Sequence, residues 1–188
     1  MKMKLFKNQW SNIIMVIIIL ALIIPGTRKP LAIFVNKILS FSPSVTSEDE
    51  RAQIASYEWV LEKNNTDRVE FSKYQGKVVI INFWATWCPP CIAEMPSFQK
   101  LYEDYNDKVD FFFVSNEDHQ TVRNFMERKN FTLPAFRPKS AIPEPLNSNT
   151  LPTTYLLDKK GNIVIEKVGS AAWDSEKMRK TLDDLLGE

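Results

Sequence analysis

The stretch from Phe83 to Cys91 reads FWATWCPPC and holds both cysteines of the chain. It closes an almost continuous apolar run, KVVIINFW from Lys77 to Trp84, of the kind that forms a strand buried on both faces. Beyond Cys91, the residues Ile92, Met95, Phe98, Leu101, Tyr102 and Tyr105 recur at helical spacing until Asn106 and Asp107 interrupt it. The cysteines therefore stand where a buried strand ends and a long helix begins. At a helix N-terminus, unpaired N–H groups and the helix dipole favour a thiolate over a thiol. Cys91 lies almost one turn beyond Cys88, close enough for a disulfide across the first turn. Pro89 and Pro90 fit that position, because the first turn needs no N–H there and proline presets φ. Two buried, inert cysteines are the competing reading.

Before this strand, YEWVLEKNNTDRVEFSKYQGK from Tyr57 to Lys77 gives two short alternating runs around Asn64-Asn65-Thr66-Asp67, a β-hairpin signal. VDFFFVSN from Val109 to Asn116 is a second buried strand, and Val122, Phe125 and Met126 mark a second helix. TTYLLD and IVIEKVG around a turn at Lys159 to Asn162 make an antiparallel hairpin, and Met178, Leu182, Leu185 and Leu186 mark a closing helix. After the N-terminal hairpin the order is β-α-β-α-β-β-α, an α/β architecture with a central mixed sheet flanked by helices. Ser42 to Glu50, SPSVTSEDE, reads as a linker or a helix start, so the domain is expected from about residue 56 to residue 188.

Composition narrows the function. The 24 basic and 23 acidic residues are interspersed, which speaks against a nucleic-acid partner. Two cysteines and one histidine are too few for a disulfide framework or a structural zinc site, and no metal or cofactor is implied. His119 is expected to be exposed near a helix start.

The N-terminus has its own character. Lys2, Lys4 and Lys7 precede an apolar run from Ile13 to Ile24, the pattern of a signal anchor or a cleavable signal peptide. The run is shorter than the roughly 20 residues that span a bilayer comfortably, whereas PGTRKPLAIF after it offers no small-x-small cleavage site. We read residues 1–30 as an anchor, or a signal peptide if cut, with residues 31–55 as an amphipathic segment and linker. In that segment Leu31, Phe34, Val35, Ile38 and Leu39 share one helical face, for the membrane interface or for packing on the domain. Either fate of the N-terminus delivers the rest of the chain across a membrane, to an extracytoplasmic location.

INFWATWCPPC, the helix Pro96 and LPTTYLLDKKGNIV together resemble the thioredoxin superfamily, specifically its membrane-anchored TlpA/ResA-like thiol–disulfide oxidoreductases. The resemblance covers roughly residues 56–188. It implies a thioredoxin-like fold with a β-α insertion before the cis-proline, which HQTVRNFMERKNFTLPAF can supply. It makes Pro152 that cis-proline, facing the cysteine pair. Leu151 before it and Thr153 after it would then contact the substrate chain, as would Trp87 and Pro89. One position departs from thioredoxin: Asn82 stands where that protein keeps a buried carboxylate. The nearest acid in sequence is Glu94, at i+3 from Cys91, and relatives in this branch carry an acid there. It is either a proton acceptor for Cys91 or a solvated helix glutamate.

The resulting expectation is an extracytoplasmic oxidoreductase in which Cys88 attacks and Cys91 resolves. Its partners would be protein thiols and disulfides, with apocytochrome c or copper-site proteins as the substrates of relatives, and an upstream thiol reductant. Prolines at both intervening positions remove N–H donors to a Cys88 thiolate, which favours a reductase over a strong oxidant. A thiol peroxidase wants threonine three residues before its nucleophile, where Ala85 stands. A copper-delivery protein wants a C-x-x-x-C spacing. A redox-inert binding module on the same fold is the remaining alternative.

Overall fold

The computed structural model describes residue 10, residues 12–16, residue 33, residues 41–147 and residues 149–187. The expected anchor and amphipathic segment lie, apart from those few positions, outside the described residues. Among the described residues, no helix is long and apolar enough to cross a membrane.

Seven strands form one mixed sheet. They are β1 (Val60–Lys63), β2 (Asp67–Glu70), β3 (Val79–Phe83), β4 (Asp110–Val114), β5 (Ala135–Pro138), β6 (Thr153–Leu157) and β7 (Ile163–Val168). Their order is β2-β1-β5-β4-β3-β6-β7. The helices that pack on the sheet among the described residues are α1 (Pro89–Tyr105), α2 (His119–Lys129) and α3 (Glu176–Gly187). β3 pairs parallel with β4 and antiparallel with β6, so it is the central strand, and its five residues are all buried. That is the environment its unbroken apolar sequence demands. The fold is thioredoxin-like, as expected.

Side chains alternate across β3 and divide the core in two. Ile80 joins Trp84, Phe98, Phe113, Leu156 and Leu182 under the three helices. Ile81 and Phe83 face the other way, onto Trp59, Phe71, Phe112 and Tyr155. Among the described residues, no α-helix covers this second face. The segment around Trp59, a single 3-10 turn at Phe71–Tyr74 and the loop before β6 close it instead, through ring contacts such as Phe71 on Phe112 at 5.2 Å. Pro96 sits inside α1 and withholds one helical N–H.

The N-terminal hairpin forms as its turn signal predicts, with Asn64 and Asn65 at φ 57° and 68°. Those left-handed values are the ones asparagine tolerates best among side-chain-bearing residues. The hairpin does not stand apart: β5 links it to the main sheet, antiparallel to β1 and parallel to β4. β5 and α2 are the β-α insertion that the family resemblance placed in this stretch, although local pattern alone did not mark β5 as a strand. It is only four residues long and is bracketed by Pro134 and Pro138, so it carries the marks of a loop.

Two further expectations need correction. His119 is 9% exposed, because its ring lies between α2 and β1 with Nε2 2.9 Å from Glu62 Oε1. The stretch expected as a linker or a helix start holds a short 3-10 turn at Glu48–Glu50, as the second alternative allows, and is laid along β7 rather than free of the domain. Thr46 N–H donates to Val164 O at 2.9 Å, and Ile163 N–H to Ala52 O at 2.7 Å. Pro43 and Ile54 are buried.

Candidate active site

Cys88 caps the N-terminus of α1, with Pro89 and Pro90 in the first two helical positions. Its sulfur is bonded to that of Cys91 at 2.04 Å, with the Cα atoms 5.3 Å apart. With both prolines lacking an N–H, the first helical donor to reach Cys88 Sγ is Cys91 N–H, at 3.3 Å. The pair is buried, at 3% and 1% exposure, so a partner must come to it from one side. Trp84 is core: it is 1% exposed and its ring is 5.5 Å from that of Phe125. Trp87 is the opposite, 62% exposed immediately before Cys88.

The loop presenting Cys88 is held by a residue absent from the sequence reading. Glu117 lies just past the end of β4, and its carboxylate accepts Thr86 N–H at 2.7 Å and Thr86 Oγ1–H at 2.7 Å. It also accepts Ser115 Oγ–H at 3.2 Å. Position was the available signal: an acid at the C-terminal end of a parallel strand beside the strand carrying the motif is where α/β folds build sites.

The Leu151–Pro152 peptide is cis. Thr153 pairs opposite Phe83 in the β3–β6 register, which puts Pro152 at the same end of the sheet as the cysteine loop. Thr153 is buried and donates its hydroxyl to Thr150 O at 2.8 Å. Leu151 and Trp87 line one cleft together with Phe83, Ile142 and Glu117. The structure thus gathers Trp87, Leu151, Pro152 and Thr153 at the end of the sheet that carries Cys88, Pro89 and Cys91.

Glu94 is not a solvated helix residue. It is 2% exposed, one turn below Cys91 on the inward face of α1. Oε1 accepts Asn82 Nδ2–H at 2.9 Å, while Oε2 accepts Trp173 Nε1–H at 2.8 Å and Ala171 N–H at 3.2 Å. Asn82 also donates to Thr154 Oγ1 at 2.8 Å. Burial outweighs these three donors and pushes the Glu94 carboxyl from the ordinary 4.5 up to about 8. The buried carboxyl of this site thus comes from α1, and Asn82 on the central strand is one of its hydrogen-bond donors. Trp173 lies far along the chain, and no local pattern could have announced its contact.

The chain is 37% identical over 113 residues to the thioredoxin-like protein YneN of Bacillus subtilis, covering 58% of this chain and 65% of the relative. It is 36% identical over 117 residues to the thiol-disulfide oxidoreductase ResA of Halalkalibacterium halodurans, covering 61% of this chain and 66% of the relative. The match thus spans just under two thirds of the length of these curated relatives. The fold matches that of a thiol:disulfide interchange protein, a thioredoxin family protein from Chlorobium tepidum. The TM-score is 0.56 at 23% identity, over 72% of this chain and 99% of that one. The Redoxin family profile matches residues 38–186, and with the cysteine pair, the cis-proline and the sheet order all in place, the chain belongs to the thioredoxin-like Redoxin family.

Proposed function

We propose that this protein is a thiol–disulfide oxidoreductase exchanging its Cys88–Cys91 disulfide or dithiol with the cysteines of protein substrates. The observation that carries the reading is the disulfide closed across the first turn of α1, with Pro152 at the same end of the sheet. Relatives named thiol-disulfide oxidoreductase support it. A redox-inert module has no need of an intact pair, and a thiol peroxidase has no threonine here, since Ala85 stands three residues before Cys88.

In the reduced protein, the Cys88 thiolate is stabilised by the helix dipole and the Cys91 N–H. It attacks one sulfur of a substrate disulfide; the other substrate sulfur leaves as a thiolate, and a mixed disulfide forms on Cys88. Cys91 then gives up its proton and attacks Cys88 Sγ, releasing the second substrate sulfur and closing the Cys88–Cys91 bond. Two electrons pass to the substrate. We assign the Cys91 proton to Glu94. A carboxyl raised to about 8 is a far better proton acceptor for a thiol than an ordinary carboxylate, which is what the resolving step requires.

Direction follows from the prolines. A Cys88 thiolate with few backbone donors is less stabilised than one with a full set, which favours giving electrons over taking them. The protein acts as a reductase, on apocytochrome c or copper-site proteins, and is recharged by an upstream thiol reductant. Lys2, Lys4 and Lys7 before the apolar run support an N-terminal tether with the domain outside the cytoplasm. An alkaline phosphatase fusion after residue 50 is then active, and a silent fusion overturns the location.

The test of the reaction is trapping. Cys91→Ser accumulates mixed disulfides with partner proteins, while Cys88→Ser accumulates few or none, and insulin reduction is lost in both. Equal trapping by the two variants overturns the assignment of attacking and resolving cysteines.

A further inference from the structure

Glu94 has to exchange its proton in a site shut off from water, and its surroundings hold one charge that the exchange chemistry does not use. Across the sheet, Asn82 on β3 pairs with Thr154 on β6, and Thr154 pairs with Lys167 on β7. Residues directly opposite in antiparallel strands point to the same face. Because Asn82 bonds both Thr154 Oγ1 and Glu94, that face is the one under α1. Lys167 therefore leaves the sheet on the Glu94 side, one strand beyond Thr154. It is half-buried, and no carboxylate among the described residues lies within salt-bridge distance of it.

We propose that Lys167 is a positioning residue for thiol–disulfide exchange, its ammonium holding Glu94 towards the carboxylate form that can take the Cys91 proton. This rests on the assignment of Glu94 as that acceptor. The other groups around Glu94 cannot do the same. Asn82, Thr154, Trp173 and the Ala171 N–H are neutral. Lys100 on α1 and Asp174 on the following segment are spent on each other, at 3.0 Å. Cys88 and Cys91 are joined as a disulfide and carry no charge in this state. Lys167 is the cation left without a carboxylate of its own on this face, and its attraction for the Glu94 carboxylate works against burial.

The chemistry needs such a counterweight. With its carboxyl at about 8, Glu94 is mostly protonated at neutral pH and cannot accept a second proton. A cation at the edge of the buried site raises the carboxylate fraction without occupying either Glu94 oxygen. The resolving step is unchanged in its balance: the proton passes from Cys91 to Glu94, the Cys88–Cys91 bond forms and the Cys88–substrate bond breaks. Only the fraction of Glu94 ready to act depends on Lys167.

The experiment follows Glu94 itself and the rate separately. Difference infrared titration of the oxidised, full-length protein reads the protonated carboxyl band, assigned to Glu94 by its loss in Glu94→Gln. Lys167→Met raises the midpoint by roughly half a pH unit, the size expected of one partly screened charge several ångströms away, and Lys167→Arg restores it. The pH–rate profile of insulin reduction moves in step, and that movement vanishes in the Glu94→Gln background. An unmoved infrared midpoint in Lys167→Met overturns the role of Lys167. A moved midpoint with an unmoved rate profile upholds the coupling of Lys167 to Glu94 and overturns Glu94 as the acceptor.

Discussion

Glu94 ties the chemistry of the site to the stability of the fold. Its carboxyl is raised from 4.5 to about 8, so the folded chain binds that proton more tightly than the unfolded chain does. For a group shifted upward, stability is fully present below the unfolded value and is lost as pH rises through the folded one. The wild type should therefore lose up to a few kcal/mol between about pH 4.5 and pH 8 from this residue alone. Glutamine mimics the neutral acid, and a flip of the Asn82 amide lets its oxygen accept from the new Nε2–H. Glu94→Gln should thus fold, and should flatten that part of the profile in urea unfolding run at several pH values. Parallel profiles for the two proteins would place the charge cost elsewhere. The same variant should slow turnover by roughly 100-fold, the usual loss when a positioned acid–base group is removed. An unaltered rate would leave water or the departing thiolate as the acceptor.

At the scale of elements, the loop between β3 and α1 is held from outside by one carboxylate. Glu117 takes both the N–H and the hydroxyl of Thr86, two residues before Cys88. Glu117→Ala strands a half-buried N–H and should cost about 1–3 kcal/mol. Thr86→Val keeps the backbone bond and should cost about 1 kcal/mol. If the loop sets the approach to Cys88, Glu117→Ala should also increase the mobility of the exposed Trp87, read as lower fluorescence anisotropy after the buried tryptophans are subtracted. Unchanged anisotropy would make Glu117 a matter of stability only. The contrast with β5 shows what the sequence could and could not reveal. β3, β4, α1 and the β6–β7 hairpin announce themselves because burial on two faces, helical spacing and turn residues are local properties of the chain. β5 is defined by its neighbours, with Arg137 opposite Glu62 and Phe136 beside Val114; its prolines hide it from local pattern, and only the family resemblance placed an inserted strand there. The site divides the same way. Cys88, Pro89, Cys91 and Pro152 were legible as motif, whereas the burial of Glu94 depends on Trp173 and Ala171, more than seventy positions away.

Over the whole molecule, the two edges of the sheet are treated differently. The β2 edge carries Asp67, Arg68 and Glu70, charges that discourage pairing with another chain. The β7 edge begins with the apolar Ile163, Val164 and Ile165 and would invite it, but the strap before β1 occupies it. Thr46 and Ala52 bond to its backbone, Gln53 bridges to Asn162, and Ile54 is buried with the second core. The strap therefore does two jobs: it helps to close the second core and it satisfies backbone groups on an apolar edge. A chain beginning at Ala55 loses both. Removing Ile54 alone forfeits about 2 kcal/mol of buried apolar surface, and the lost edge bonds add to it. We expect the truncated domain to melt at lower temperature than a chain beginning at Phe41. It should also show concentration-dependent association in sedimentation, because the exposed β7 backbone seeks a partner strand. Replacing Val164 by lysine in the truncated chain tests the mechanism, but it also puts a charge into the helix-covered core. Val168→Lys, on the exposed end of the same strand, is the cleaner choice. It should suppress the association while leaving the lowered melting temperature in place. A truncated chain that stays monomeric at all concentrations would show that the strap contributes packing alone.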